Sequence, residues 1–240
     1  MSATFTLYKR ELGATFNSPV AYVVVLLFLV ISGALFWLNY FNQINALSLR
    51  SFFEQAPLFL AFFAPAITMG SIAQEKDRGT LELLMTMPVS DRQIVWAKFF
   101  SASTLLATVF AMTLAYPLTL AWLAADVGAS FDWGATMAGY LGLLLLGSAY
   151  AAIGIMASSW TRDQVVAVLI AFSLCFVLYL LEAIVGRPTG TSAYVLEYLS
   201  TSFHFKNIAR GVLDVRDVTY YLSVIGVSLT VAQASLKAKR

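Results

Sequence analysis

Residues 133–161 read WGATMAGYLGLLLLGSAYAAIGIMASSWT, twenty-nine residues without one Asp, Glu, Lys or Arg. A helix rises about 1.5 Å per residue and a bilayer's hydrocarbon core is about 30 Å thick, so roughly 20 apolar residues suffice to cross it. This stretch is long enough to span. Outward from it, the charge-free stretches 99–125, 55–74 and 12–49 precede it, and 164–181 and 218–236 follow. The first of these, 12–49, is too short for two spans and a turn and has polar ends (Asn17, Ser18, Asn39, Asn42, Gln43, Asn45). The pattern predicts one transmembrane domain over 1–240, with six helical spans near 20–38, 56–73, 97–123, 135–158, 164–185 and 218–236. The stretch 193–205 is short and interrupted by Glu197, and reads as interfacial or re-entrant.

Composition agrees. The 240 residues are 60% hydrophobic and 12% charged, with a mean hydropathy of +0.78, whereas a soluble domain carries about 25% charged residues. The fold class is all-α polytopic membrane protein. A net charge of +2 argues against a nucleic-acid surface. Cys175 is the one cysteine and His204 the one histidine, which excludes a disulfide framework and a cysteine zinc site. There is no GxSxG, no GxxxxGK[ST] and no GxGxxG, so neither an esterase-type nucleophile nor a glycine-rich phosphate cradle is encoded. Every charged residue lies at or beyond a span end, Glu182 near the outer end of the fifth being the closest to an exception, which disfavours ion-coupled transport. Energy for any pumping has to come from another polypeptide; a passive channel or scaffold is the other reading.

Basic residues set the orientation. One side of the six-span arrangement holds Lys9, Arg10, Lys76, Arg78, Arg92, Lys98, Arg162, Lys237, Lys239 and Arg240; the other holds Arg50, Arg187, Lys206, Arg210 and Arg216. Ten against five predicts both termini in the cytoplasm of a multi-pass cell-membrane protein. Trp37, Trp122 and Trp133 fall at the predicted outer ends, and Trp96 and Trp160 at the inner ends, as an aromatic belt requires. The first apolar run exceeds a signal-peptide core, so the first span is expected to remain in the mature chain.

Around the spans lie amphipathic and charged segments. In 4–17, Phe5, Tyr8, Leu12 and Phe16 recur at three- and four-residue spacing, predicting an interfacial helix that keeps Lys9, Arg10 and Glu11 off its apolar stripe. Ser18 and Pro19 then restart a helix as N-cap and first residue. Segment 75–92 combines charges with Gly79 for a sharp turn, Thr80 as a cap, a short helix 81–86 and a terminating Pro88, leaving Leu81, Leu84 and Met85 for a partner groove. Ser90 and Gln93 form a capping box. Thr161 and Gln164 repeat it, exposing Arg162 and Asp163. In the outer loop 186–217, Gly186, Pro188 and Gly190 break the fifth helix, Arg210, Asp214, Arg216 and Asp217 are the charges offered to a partner or gate, and Asp217 is also placed to cap the last span. The fourth span's small residues (Gly139, Gly142, Gly147, Gly154, Ser158) predict close packing within one subunit.

The run EKDRGTLELLMTMPVSDRQIVWAKF at 75–99 resembles the cytoplasmic coupling segment of ABC-2-type permeases. YKRELGATFNSPVAYV at 8–23, FFAPAITMGSIAQEKDRGT at 62–80, ASSWTRDQVVAVL at 157–169 and FHFKNIARGVLDVRDVTYYLS at 203–223 extend the likeness, which is greatest to the gliding-motility-type branch; Ala97 departs from the glycine often found before the lysine there. The resemblance implies a non-enzymatic permease subunit of the bacterial inner membrane. It would dimerise with a second or homologous copy, with a seam near the first and fifth spans, and bind a cytoplasmic ATPase dimer that holds ATP and Mg2+. This chain would need no cofactor of its own. The implied docking residues are Glu75, Arg78, Gly79, Thr80, Leu81, Glu82, Leu84 and Met85, with Arg162 and Asp163 as a second contact. Short helices in 186–217 would gate an exit or meet an outer accessory protein. The cargo stays unidentified, the lack of charge inside the spans favouring a lipid-like, glycan or peptide cargo over a small inorganic ion; a mechanotransmitter that moves no cargo is the rival.

Overall fold

The computed structural model describes residues 3–42, 48–86, 89–185 and 191–238. Among these, twelve helices and no strand occur: α1 (Ala3–Phe16), α2 (Pro19–Asn42), α3 (Arg50–Thr68), α4 (Gly70–Asp77), α5 (Thr80–Thr86), α6 (Asp91–Thr113), α7 (Ala115–Asp126), α8 (Trp133–Trp160), α9 (Gln164–Val185), α10 (Thr191–Tyr198), α11 (Thr201–Ala209) and α12 (Val215–Lys237). Six helical stretches are long and apolar enough to cross a membrane: α2, α3 continued by α4, α6 continued by α7, α8, α9 and α12. The chain is an all-α, multi-pass membrane protein. α1, α5 and the α8–α9 turn share one end of the bundle; α10 and α11 lie at the other.

Lipid as solvent explains which helix sits where. The most apolar spans, α2 and α9, each have a mean hydropathy of 2.6 and are only 28% and 17% buried within the protein. α8, at 1.8, is 72% buried. Hydrocarbon tails compete with apolar side chains for contact, so close packing of small residues selects the central helix. At Gly139 an added methyl would collide with the Phe53 ring of α3, and at Gly154 with the Thr68 hydroxyl. The small residues of α8 therefore serve packing inside the subunit.

Two spans are broken, and α8 repairs both. Pro65 lies one turn before the interruption of α3 at Met69, and Pro117 lies just after the interruption at Leu114. Pro117 lacks the amide hydrogen and crowds the carbonyl four residues back, that of Thr113, and at either interruption the freed backbone groups within a membrane must find partners inside the protein. The buried Ser158 hydroxyl accepts from the Ile72 and Ala73 amides (3.0 and 2.9 Å) and donates to the Met69 carbonyl (2.8 Å). The Tyr140 hydroxyl donates to the carbonyl of Thr113, the residue four before Pro117 (2.9 Å). Lys76 and Ser235 both donate to the Ser159 carbonyl, joining α4, α8 and α12 at the α5 end.

Several expected caps move. Asp214, not Asp217, caps α12, accepting the Arg216 amide at 2.9 Å. Asp163, not Thr161, caps α9, accepting from Val165 and Val166 (2.7 and 3.3 Å), while the Thr161 hydroxyl accepts the Asp163 amide. In both cases the capping carboxylate is the residue immediately before the first helical residue, Val215 or Gln164, where its side chain reaches the free amides of the first turn. The Ser90–Gln93 box forms as expected.

Candidate functional site

At the α5 end, α4 and α5 form a helical hairpin. Gly79 turns it at φ +68°, a left-handed conformation open to glycine without penalty. Thr80 does not cap α5: it is the helix's first residue, and its hydroxyl donates back to the Glu75 carbonyl (3.3 Å). The turn presents Asp77, Arg78, Gly79, Thr80 and Glu82 to the surroundings. Arg162 and Asp163 are likewise exposed on the α8–α9 turn. Pro88 lies outside the described residues.

The apolar residues assigned to a partner groove behave differently. Leu81 is buried in the main core, and Leu84 is buried in a cluster with Leu7, Ile94 and Ala97. Met85 is half-buried. A three-residue spacing puts Leu81 and Leu84 on one helical face, and tertiary packing turns that face inward against α1 and α6.

Beneath the hairpin lies an ion network that spacing alone did not show. Lys98, two turns into α6, has a side chain only 2% exposed. Its Nζ is 3.0 Å from Glu11 Oε2 on α1 and 2.8 Å from Glu75 Oε1 on α4. Arg10 Nη2 donates to Glu11 Oε1 at 2.7 Å and lies 4.0 Å from Glu75 Oε1. Two cations thus alternate with two carboxylates across three helices. A lone buried ammonium would cost several kcal/mol, so Lys98 is tolerable only with both partners present. Burial pushes the Glu11 carboxyl up, but Lys98 and Arg10 outweigh it and hold the group below its usual 4.5. Glu75 therefore points into the protein and is not an exposed docking residue.

α1 packs along α6 through this network. Leu7 is buried, Tyr8 Oη and Thr104 Oγ1 are 2.9 Å apart, and Thr15 Oγ1 and Ser101 Oγ are 3.0 Å apart. Tyr8, Leu12 and Phe16 are half-buried, and Phe5 stays exposed. Glu11, expected away from the stripe, faces the protein together with Leu7, Tyr8 and Thr15, whereas Lys9 and Arg10 stay exposed. The sequence signal was available in Lys98, the only lysine on the predicted spans' inner edge that is followed by Phe99 and Phe100 rather than by further charge.

At the opposite end, Arg210, Asp214 and Arg216 are exposed, whereas Asp217 is 3% exposed and bonded to His204. Asp217 is therefore unavailable to a partner. Among the described residues, no cluster of three metal-ligating side chains occurs.

The family model of the ABC-2 family transporter protein matches residues 5–210, from α1 through α11. The chain belongs to the ABC-2 transporter family. No curated protein matches it. As an ABC-2 member it is a membrane permease subunit of an ABC transporter, a class that is ordinarily non-catalytic and works with an ABC ATPase. In this ABC-2 permease the turn at 77–80 and the 162–163 tip are among the exposed surfaces at the α5 end, and the Arg10–Glu11–Lys98–Glu75 network ties the first of them to α1 and α6.

Proposed function

We propose that the α5 end is cytoplasmic and receives the motion of a separate ATPase dimer, and that two permease copies move a lipid-like, glycan or peptide cargo. The basic residues, ten on the α5 side against five, support the orientation. The observation that carries the reading is the combination of an exposed charged turn with a rigid ionic root. Arg78, Gly79, Thr80 and Glu82 lie outside, while Glu75, one turn earlier on α4, is clamped by Lys98 at 2.8 Å. A push on the turn is then delivered to α6 and α1 instead of being lost in a loop. Arg162 and Asp163 supply the second contact. The motifs at 8–23 and 203–223 support placement in the gliding-motility-type branch, and ATP and Mg2+ belong to the partner.

Co-purification with the ATPase tests this reading. Charge reversal at Arg78 and Glu82 should abolish permease-dependent ATP hydrolysis while leaving the permease monodisperse; unchanged hydrolysis would sink the docking assignment. A complex that turns over ATP without moving any lipid, glycan or peptide would favour mechanotransmission, and solute flux without nucleotide would favour a channel.

A further inference from the structure

A cavity of about 670 Å3 opens at the α11 end, between the first turns of α3 and α8, the last turns of α9 and helix α11. That volume lies within the range of small-molecule pockets. Its charges cancel. Arg50, Lys206 and Arg210 stand against Glu54, Asp132 and Glu182, with Arg50 and Glu54 3.0 Å apart and Lys206 and Glu182 2.8 Å apart. The helix amides at its edge are taken as well: Ser48 Oγ accepts the Arg50 amide at 3.2 Å, and Asp132 Oδ1 accepts the Ala135 amide at 3.0 Å. A charged ligand would meet no net counter-charge, so the cost of desolvating it would not be offset.

What the walls offer instead is hydrogen-bonding capacity of both kinds. Lys206 Nζ has three hydrogens and gives one to Glu182 Oε1, and that carboxylate keeps a second oxygen. Ser202, Phe205 and Lys206 fall on one face of α11 at three- and four-residue spacing, and all three line the cavity. Ser202 is 5% exposed, and its hydroxyl has no hydrogen-bond partner among the described residues. The half-buried Tyr179 also lines the cavity with its hydroxyl unpartnered there. A buried hydroxyl without a partner costs free energy that a hydroxyl-bearing ligand would restore. Beside these groups the rings of Phe131 and Tyr179 are half-buried, leaving aromatic surface open to an occupant.

We infer that this cavity binds a neutral saccharide unit. A sugar hydroxyl both donates and accepts, so two neighbouring hydroxyls fit an ion pair such as Lys206 and Glu182, one accepting from the ammonium and the other donating to the free carboxylate oxygen. Ser202 and Tyr179 then gain partners. The C–H face of a pyranose ring is apolar and packs on an aromatic face, here Phe131 or Tyr179. A zwitterionic peptide would need an unpaired charge of each sign, and the two measured ion pairs are closed. Saccharide binding narrows the proposed cargo to a glycan and rests on that reading only for the step from binding to transport.

The test uses the full chain in phosphatidylcholine nanodiscs, free of sugar detergents, with maltotriose as probe and saturation-transfer NMR as readout. No ATPase or nucleotide is present, so a failure here leaves the docking assignment intact, and a failure of docking leaves this result intact. The unsubstituted chain should transfer saturation to maltotriose, and equimolar trialanine should not displace it. Tyr179→Phe and Ser202→Ala each remove one hydroxyl with little change of shape and should each weaken binding roughly fivefold. Tyr194→Phe removes an exposed hydroxyl at the same end but outside the cavity, and should change binding by no more than about twofold. Absence of transfer to maltotriose, unchanged affinity in both cavity variants, or an equal loss in Tyr194→Phe overturns the site. Displacement of maltotriose by trialanine puts a peptide in place of the saccharide and overturns it too.

Discussion

His204 Nδ1 and Asp217 Oδ1 lie 2.6 Å apart, with His204 fully buried and Asp217 3% exposed. On the ring's other side, Nε2 is 2.8 Å from the Tyr198 carbonyl, which can only accept, so Nε2 carries a hydrogen. One further proton is then shared between Nδ1 and the carboxyl, and the pair is neutral as a unit, the form a low-dielectric interior tolerates. Tyr220 stacks on the imidazole at 4.0 Å between centroids and donates to the Leu199 carbonyl. The histidine thereby pins α11 and the end of α10 to the first turn of α12.

This neutrality predicts an unequal pair of substitutions. His204→Ala strands a buried carboxylate and should cost about 3–5 kcal/mol. Asp217→Asn keeps a donor toward Nδ1 without a charge and should cost about 1 kcal/mol. Thermal unfolding of the purified chain in detergent reads both; equal losses would show that packing, not the shared proton, holds the contact.

Ser158 tests the repair of the α3–α4 break. Ser158→Ala is nearly isosteric yet leaves the Ile72 and Ala73 amides without their acceptor, and two orphaned buried donors should cost about 2–4 kcal/mol. Ser158→Thr retains the hydroxyl and should recover stability only as far as the extra methyl fits. Unfolding midpoints decide it, and an unshifted Ser158→Ala would mean that the break needs no side-chain partner.

The ion network carries a pH signature. Because the Glu11 carboxyl is held below 4.5 in the folded chain, its contribution is fully present above that value and is lost as pH falls through the lowered folded value. The stability gap between the unsubstituted chain and Glu11→Gln should be constant from neutral pH down to about 5, then close on further acidification. Melting curves across that range check the sign. A gap that widened toward acid would contradict the pairing with Lys98.

Leu84 separates core from docking surface. Packed against Leu7, Ile94 and Ala97, it should lose about 2–4 kcal/mol of stability on Leu84→Ala, with ATPase affinity unchanged in the surviving folded fraction. A groove-docking residue would show the reverse: full stability and weakened partner binding.

The sequence by itself determined the solvent, the helical class and the six spans. Each of these depends on the length of charge-free runs against a fixed bilayer thickness, a property of neighbours along the chain. It also showed the Gly79 turn, the Ser90–Gln93 box and the small-residue face of the fourth span, because local backbone geometry and close packing leave compositional marks. Only the tertiary structure decided which side of each short element faces inward. Leu81 and Leu84 look like a docking stripe until α1 and α6 cover them. Asp217 looks like a cap until His204, thirteen residues earlier, is placed against it. Glu11, Glu75 and Lys98 meet from three helices, with Lys98 separated from Glu11 by 87 residues and from Glu75 by 23. A periodic pattern states that one face differs from another; which neighbour that face meets is set by the packing of distant segments.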